Sequence, residues 1–195
     1  MKHLLFVFSL LLVMACTGPD FANVPAMGAD HNVNMVVEIP AGSAQVTVFN
    51  PETGLFEVEL SNNQPRTIDF LPFPANFGFI PSTELNQSKK AINNLPVLLL
   101  SESLPTATLI KIIPISVVKT DDHGELNQII IAVPADAFMR ILTSVDFAGL
   151  EMRYPDVITI IERWLMSYTG NDTISIIEWG DEMDAMSLIA SRMKK

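Results

Sequence analysis

Lys119-Thr120-Asp121-Asp122-His123-Gly124-Glu125-Leu126-Asn127 sets two adjacent carboxylates beside the one histidine that falls inside the expected domain. Carboxylate and imidazole donors of this kind hold transition metals. Neighbours along a chain, however, rarely converge on one ion without a distant partner. Asp and Gly between two apolar segments also suit a tight turn, through local hydrogen bonding and backbone freedom. The run therefore reads first as a turn, with Asp121 as a weak metal candidate. The usual catalytic sets are missing elsewhere. His3 and His31 precede the domain, the single cysteine is Cys16, and no Gly-x-Ser-x-Gly elbow, Walker loop or zinc-ligand spacing occurs. A Ser/His/Asp or Cys/His nucleophilic centre is thereby disfavoured. Trp164, Trp179 and the ten methionines read as core and interface material.

The elements that would position such groups change character along the chain. Short β-rich segments punctuated by Pro, Gly and Asn cover 35–39, 45–49, 55–60, 96–100, 108–118 and 128–133. This rhythm predicts a small barrel or sandwich. Helical periodicity follows over 135–144 and 155–168. The second of these opens on Pro155 and sets Ile158, Ile161, Leu165 and Tyr168 at helical intervals. A strand over 173–178 leads to a helix over 182–193, with Asp181 as its N-cap and Arg192, Lys194 and Lys195 near its negative end. The expected fold class is α+β, mainly β, with C-terminal helices packed on a barrel.

Four segments stand in this frame: Val36-Val37-Glu38-Ile39-Pro40, Asn50-Pro51-Glu52-Thr53-Gly54, Phe73-Pro74-Ala75-Asn76-Phe77-Gly78-Phe79-Ile80 and Leu95-Pro96-Val97-Leu98-Leu99-Leu100. Their order and spacing resemble family I soluble inorganic pyrophosphatases, over residues 34–190. The resemblance implies a five-stranded, OB-like barrel and a site that hydrolyses pyrophosphate with magnesium. Attack on so charged a phosphoryl centre requires neutralised oxygens and a hydroxide, which divalent metals supply when held by oxygen ligands.

The same resemblance implies that the chemistry has been removed. The family's Asp-x-Asp-Pro-x-Asp signature falls on Asn93-Asn94-Leu95-Pro96-Val97-Leu98, so its aspartates become Asn93, Leu95 and Leu98. Leucine offers no donor, and an apolar wall makes desolvating an ion costly. Asp121 matches one further metal-binding aspartate, while Asn127 replaces another. The family's first lysine and the following glutamate align with Val46 and Val48, its arginine with Leu60, and later lysines with Ile129 and Thr169. Phe73, Phe77 and Phe79 keep the rings of site tyrosines without their hydroxyls. Arg66, Lys89, Lys90, Lys111 and Lys119 remain as cations at displaced positions. Glu38, Asp121 and Tyr168 are the surviving matches, a remnant constellation of the family's site.

The chain begins with Lys2 and His3, then an apolar run over 4–14 that closes on Val13-Met14-Ala15-Cys16. This is a signal-segment pattern, shorter than the roughly 20 residues that span a bilayer. Small Ala15 before Cys16 resembles a bacterial lipoprotein cleavage site. The expected organisation is a signal peptide over 1–15, a lipidated Cys16 and flexible tether over 16–34, and a domain over 35–195. A lone cysteine in an exported protein suits lipid attachment better than a disulfide framework. Twenty-two acidic against twelve basic residues give a net charge of −10, which opposes nucleic-acid binding.

The resulting expectation is a catalytically inactive, pyrophosphatase-like protein of the bacterial cell envelope, held on a membrane by its lipid. It would need no cofactor and would serve as a binding or scaffold module for an unknown protein partner, with homo-oligomers left open. The competing expectation is an active diphosphatase using magnesium at a site rearranged around Glu38, Asp121, Asp122, Tyr168 and displaced lysines. A third is that a former pocket lined by Phe and Leu holds an apolar small ligand.

Overall fold

The structure, a computed structural model, describes residues 20–84, 94–170 and 173–194. The leader, Cys16, Lys89, Lys90 and Asn93 lie outside the described residues, so the expectations placed on them are not addressed by the fold. Among the described residues, no helix is long and apolar enough to cross a membrane.

β1 (Val33–Ile39) is apolar except at Asn34 and Glu38 and is buried along its whole length, as a strand covered on both faces must be. A hairpin of β2 (Thr47–Asn50) and β3 (Leu55–Val58) follows, then a short ribbon of β4 (Leu60–Ser61) and β5 (Gln64–Pro65). β6 (Asn76–Ile80), β7 (Leu95–Leu99), β8 (Leu109–Asp122) and β9 (Glu125–Pro134) complete the central layer. After α1 (Phe147–Arg153) and α2 (Pro155–Ser167), β10 (Ile174–Gly180) adds to the sheet and α3 (Glu182–Arg192) ends it.

The main sheet runs β1-β6-β7-β9-β8-β10, and β1 also pairs with β8. That extra pairing closes β1, β6, β7, β9 and β8 into a ring, with β10 as an outer strand. The expected five-stranded barrel is therefore present, and closure removes the exposed edges of its members. Only β7 and β9 among the ring pairs are parallel. β8 serves β1 through its first half and β10 through its second, with a register shift between Pro114 and Ser116 where it turns from one neighbour to the other.

Strand alternation divides the core. Leu98, Ile129, Ile131 and Val133 pack with Ile161, Trp164 and Leu165 of α2, whereas Leu95, Val97, Leu99, Ile130 and Ala132 pack with Ala185 and Ile189 of α3. α3 begins on a capping box in which Asp181 accepts from the N–H groups of Met183 and Asp184, while Asp184 accepts from Asp181 N–H. β1 and β6 approach closely at Gly78. A Cβ there would lie 1.9 Å from the Val36 carbonyl oxygen, so the Phe-Gly-Phe motif has a packing reason.

Three expectations are corrected. The helix expected over 135–144 is only a short 3-10 turn, Ala137–Met139. Arg140 donates to the carbonyls of Pro134 and Ala135 at 2.7 and 2.6 Å, and Phe138 is fully exposed. Apolar spacing with nothing to pack against does not sustain a helix. The tether expected up to residue 34 is packed from residue 20 onward. Phe21 is buried, edge-on to Phe49 and Phe56 at 6.0 and 5.4 Å, and Asn34 Nδ2 donates to Pro25 O at 2.9 Å. The ordered domain thus starts before residue 35. β6 and α1, finally, had no counterpart in the expected elements.

Candidate functional site

A cavity of about 600 Å³ opens between β1, the 46–68 segment, the β8–β9 hairpin and α2. This falls within the range of small-molecule sites. Val46, Val48, Phe73, Phe77, Ile129 and Trp164 supply much of its apolar wall. Glu38, Glu59, Arg66, Asp122, Glu125 and Tyr168 bring the polar groups.

Glu38 reaches the cavity because β1 shifts register against β6 between Val37 and Ile39, the kind of irregularity that re-aims a strand residue. It is only 4 % exposed. Its Oε1 accepts from Phe49 N–H at 2.7 Å. Burial pushes its carboxyl up to about 7, with the Phe49 N–H opposing that rise and the Glu59 charge adding to it. Tyr168 stands at the C-cap of α2, and its ring stacks on Trp164 at 4.8 Å and 9°. Burial raises its phenol above the ordinary value, the Arg66 guanidinium opposing and the Asp122 carboxylate adding to the shift. Trp164 is anchored through Nε1, which donates to Leu71 O at 2.9 Å.

The β8–β9 hairpin decides which of its acids face the cavity. His123 and Gly124 have φ of 54° and 86°, and Asp122 pairs directly with Glu125. The hairpin therefore has a two-residue loop with both central residues left-handed. Strand alternation then turns Thr120 and Asp122 toward the cavity and Asp121 away. Asp121 Oδ1 instead accepts from Gly124 N–H at 2.6 Å. Of the three expected remnants, the structure brings Glu38 and Tyr168 together and leaves Asp121 in the turn. Asp122 and Glu125 take its place. Counting in twos from the turn would have revealed them.

The positions expected to have lost their polar groups divide similarly. Val46, Val48, Phe73, Phe77 and Ile129 line the cavity, as does Pro96. Leu60 is exposed, and Phe79 sits in a separate cluster, stacked on Phe49. Among the displaced cations, Arg66 reaches the cavity and forms a 2.6 Å pair with Glu59. Lys111 pairs with Asp30 and Lys119 with Glu178.

Magnesium demands near-octahedral oxygen ligation. Leu95 and Leu98 are both 0 % exposed, one in each core cluster. Among the described residues, no group of three or more His, Cys, Asp or Glu side chains is placed to hold an ion. The donor set of the described residues does not fit the metal.

A closed five-stranded barrel covered by C-terminal helices is the arrangement that the resemblance to the inorganic pyrophosphatases implied. The structure matches that of the inorganic pyrophosphatase from Neisseria gonorrhoeae with a TM-score of 0.75 and 26% identity, over 90% of this chain and 97% of that one. The Thermus thermophilus enzyme gives 0.76 at 20% identity, over the same shares. An inorganic pyrophosphatase of Neisseria meningitidis serogroup B is 36% identical over 164 residues, 84% of this chain and 88% of that protein. The inorganic pyrophosphatase family model matches residues 35–195, and the chain belongs to that family.

Proposed function

We propose that this member of the inorganic pyrophosphatase family does not hydrolyse pyrophosphate and acts as a membrane-tethered binding module of the cell envelope. The observation that carries the reading is the reversed charge of the cavity. Among the described residues that line it, the acids Glu38, Glu59, Asp122 and Glu125 stand with one cation, Arg66, which is itself paired with Glu59. A polyanion entering such a site meets like charge in a poorly screened setting, and buried Leu95 and Leu98 add no donor to offset it. Cys16, as the lipid-bearing first residue of the mature chain, supplies the anchor to the membrane. The proposed role needs no cofactor. Phosphate release from pyrophosphate tests the loss of hydrolysis, and membrane fractionation of a Cys16→Ser variant tests the anchor.

A second reading is an active, magnesium-dependent diphosphatase with a rearranged site. It is favoured by the relatives' names and by the presence of Asp122 and Glu125 in the cavity with Glu38. That reading predicts metal-dependent turnover that falls sharply in Asp122→Asn.

A further inference from the structure

We infer that the side of the domain around Phe21 rests on the membrane that holds the Cys16 lipid, with the lipid headgroups as its partner and the cavity turned away from them. The inference rests on the membrane-tethered reading and adds which surface of the domain meets the bilayer.

Chain length is the first ground. Asp20, the first described residue, is four residues from Cys16, and four extended residues reach at most about 14 Å. Phe21 is itself fixed, buried with Val36 and Phe79 and edge-on to Phe49 and Phe56. The lipid therefore holds the Phe21 side of the domain close to the bilayer. The second ground is what adjoins Phe21. Ser82 Oγ donates to Val24 O at 2.8 Å, Lys194 N–H donates to Ser82 O at 2.9 Å, and Glu84 N–H donates to Arg192 O at 2.8 Å. The end of α3 thus stands beside the start of the domain. Among the described residues, neither Arg192 nor Lys194 is in an ion pair. Residues 20–24, 82–84 and 192–194 set these two cations against two acids, Asp20 and Glu84, on a chain of net charge −10. A headgroup layer meets little repulsion at so neutral a place, and long basic side chains extend to its phosphates. Exposed Leu109 pairs with Val36, and exposed Met193 bridges to Thr83, which supplies apolar surface for the headgroup boundary. The third ground is the position of the cavity. Val48 lines it, whereas its neighbour Phe49 packs on Phe21, as opposite faces of one strand require. Asp122, also in the lining, ends β8 where Leu109 begins it. A domain seated on its Phe21 side keeps the cavity away from the bilayer.

The test uses the full lipidated chain in vesicles of phosphatidylethanolamine and phosphatidylglycerol, a fraction of whose headgroups carry a nitroxide quencher. A fluorophore is attached at Ser191→Cys, in the last turn of α3, or at Leu126→Cys, in the β8–β9 hairpin; both positions are exposed. Quenching at position 191 is expected to exceed that at position 126 about 5-fold. Leu109→Glu combined with Lys194→Glu is expected to bring the two within about 2-fold. Equal quenching, stronger quenching at position 126, or a ratio that the double variant leaves unchanged overturns the inference. Mass analysis of Cys16 on the same preparation separates the two claims. Lipid on Cys16 with any of those results overturns the membrane-facing side alone; a free Cys16 thiol overturns the tethered reading, and the inference with it.

Discussion

Asp121 and Asp122 are adjacent on β8 and turned to opposite sides of it. Asp121 accepts from the Gly124 N–H at 2.6 Å inside the turn, while Asp122 lines the cavity and accepts from Thr173. The two carboxylates therefore have separable roles. Asp121→Ala is expected to lower the unfolding free energy by about 1 kcal/mol, the net worth of one such hydrogen bond. Urea denaturation checks this; wild-type stability in this variant would contradict the turn role.

Gly78 lies where β1 and β6 nearly touch. A methyl group there would sit 1.9 Å from Val36 O and 2.9 Å from Val36 C, both backbone atoms that no side-chain movement relieves. Gly78→Ala should therefore destabilise the domain by about 3 kcal/mol or prevent its accumulation. Denaturant midpoints measure the effect. A near-native midpoint would mean that the strands can separate here at little cost.

The Glu38 carboxyl, raised to about 7 by burial, makes stability depend on pH in a stated direction. Between the ordinary glutamate value and about pH 7, the folded chain keeps a proton that the unfolded chain has released. Stability consequently falls as pH rises through that window, by on the order of 3 kcal/mol in all. Glu59, Arg66, Asp122 and Glu125 are the charged groups that share the cavity. Glu38→Gln retains an acceptor for Phe49 N–H and should remove this component, leaving the variant more stable than the parent at about pH 8 and similar at about pH 5. Unfolding at the two pH values decides the matter. A parent chain that gains stability over the same range through Glu38 would show that its carboxylate is compensated.

Magnesium should leave the melting temperature unchanged. A ligand that binds only the folded state raises stability in proportion to the logarithm of its saturation, and the described residues offer no cluster for the ion. A thermal scan with and without about 5 mM magnesium checks this; a rise of several degrees would favour the rearranged-site reading.

Much of the frame was legible in the sequence because buried strands such as β1 and β7 are apolar almost throughout. Pro155 and Asp181 likewise marked helix starts that the structure retains. The 135–144 segment misled because periodicity records apolar spacing and not a partner surface, and Phe138 has none. Glu38 and Tyr168 could be found by position, since both are matched in the family's framework. Asp122 was named beside Asp121 without a choice between them, and Glu125 was not named as a candidate, because only the two-residue turn at His123-Gly124 fixes which acids face inward. Arg66 reached the cavity from the β5 end of a short ribbon whose geometry no local pattern specifies.

The most direct measurement is phosphate release from pyrophosphate by the purified chain with magnesium, manganese or zinc, beside an active family enzyme as control. The account predicts no release above the metal-only blank, because Leu95 and Leu98 are buried and carry no donor and the described cavity lining is apolar and mainly acidic. Metal-dependent turnover that disappears in Asp122→Asn would contradict it and establish a working site around Glu38 and Asp122.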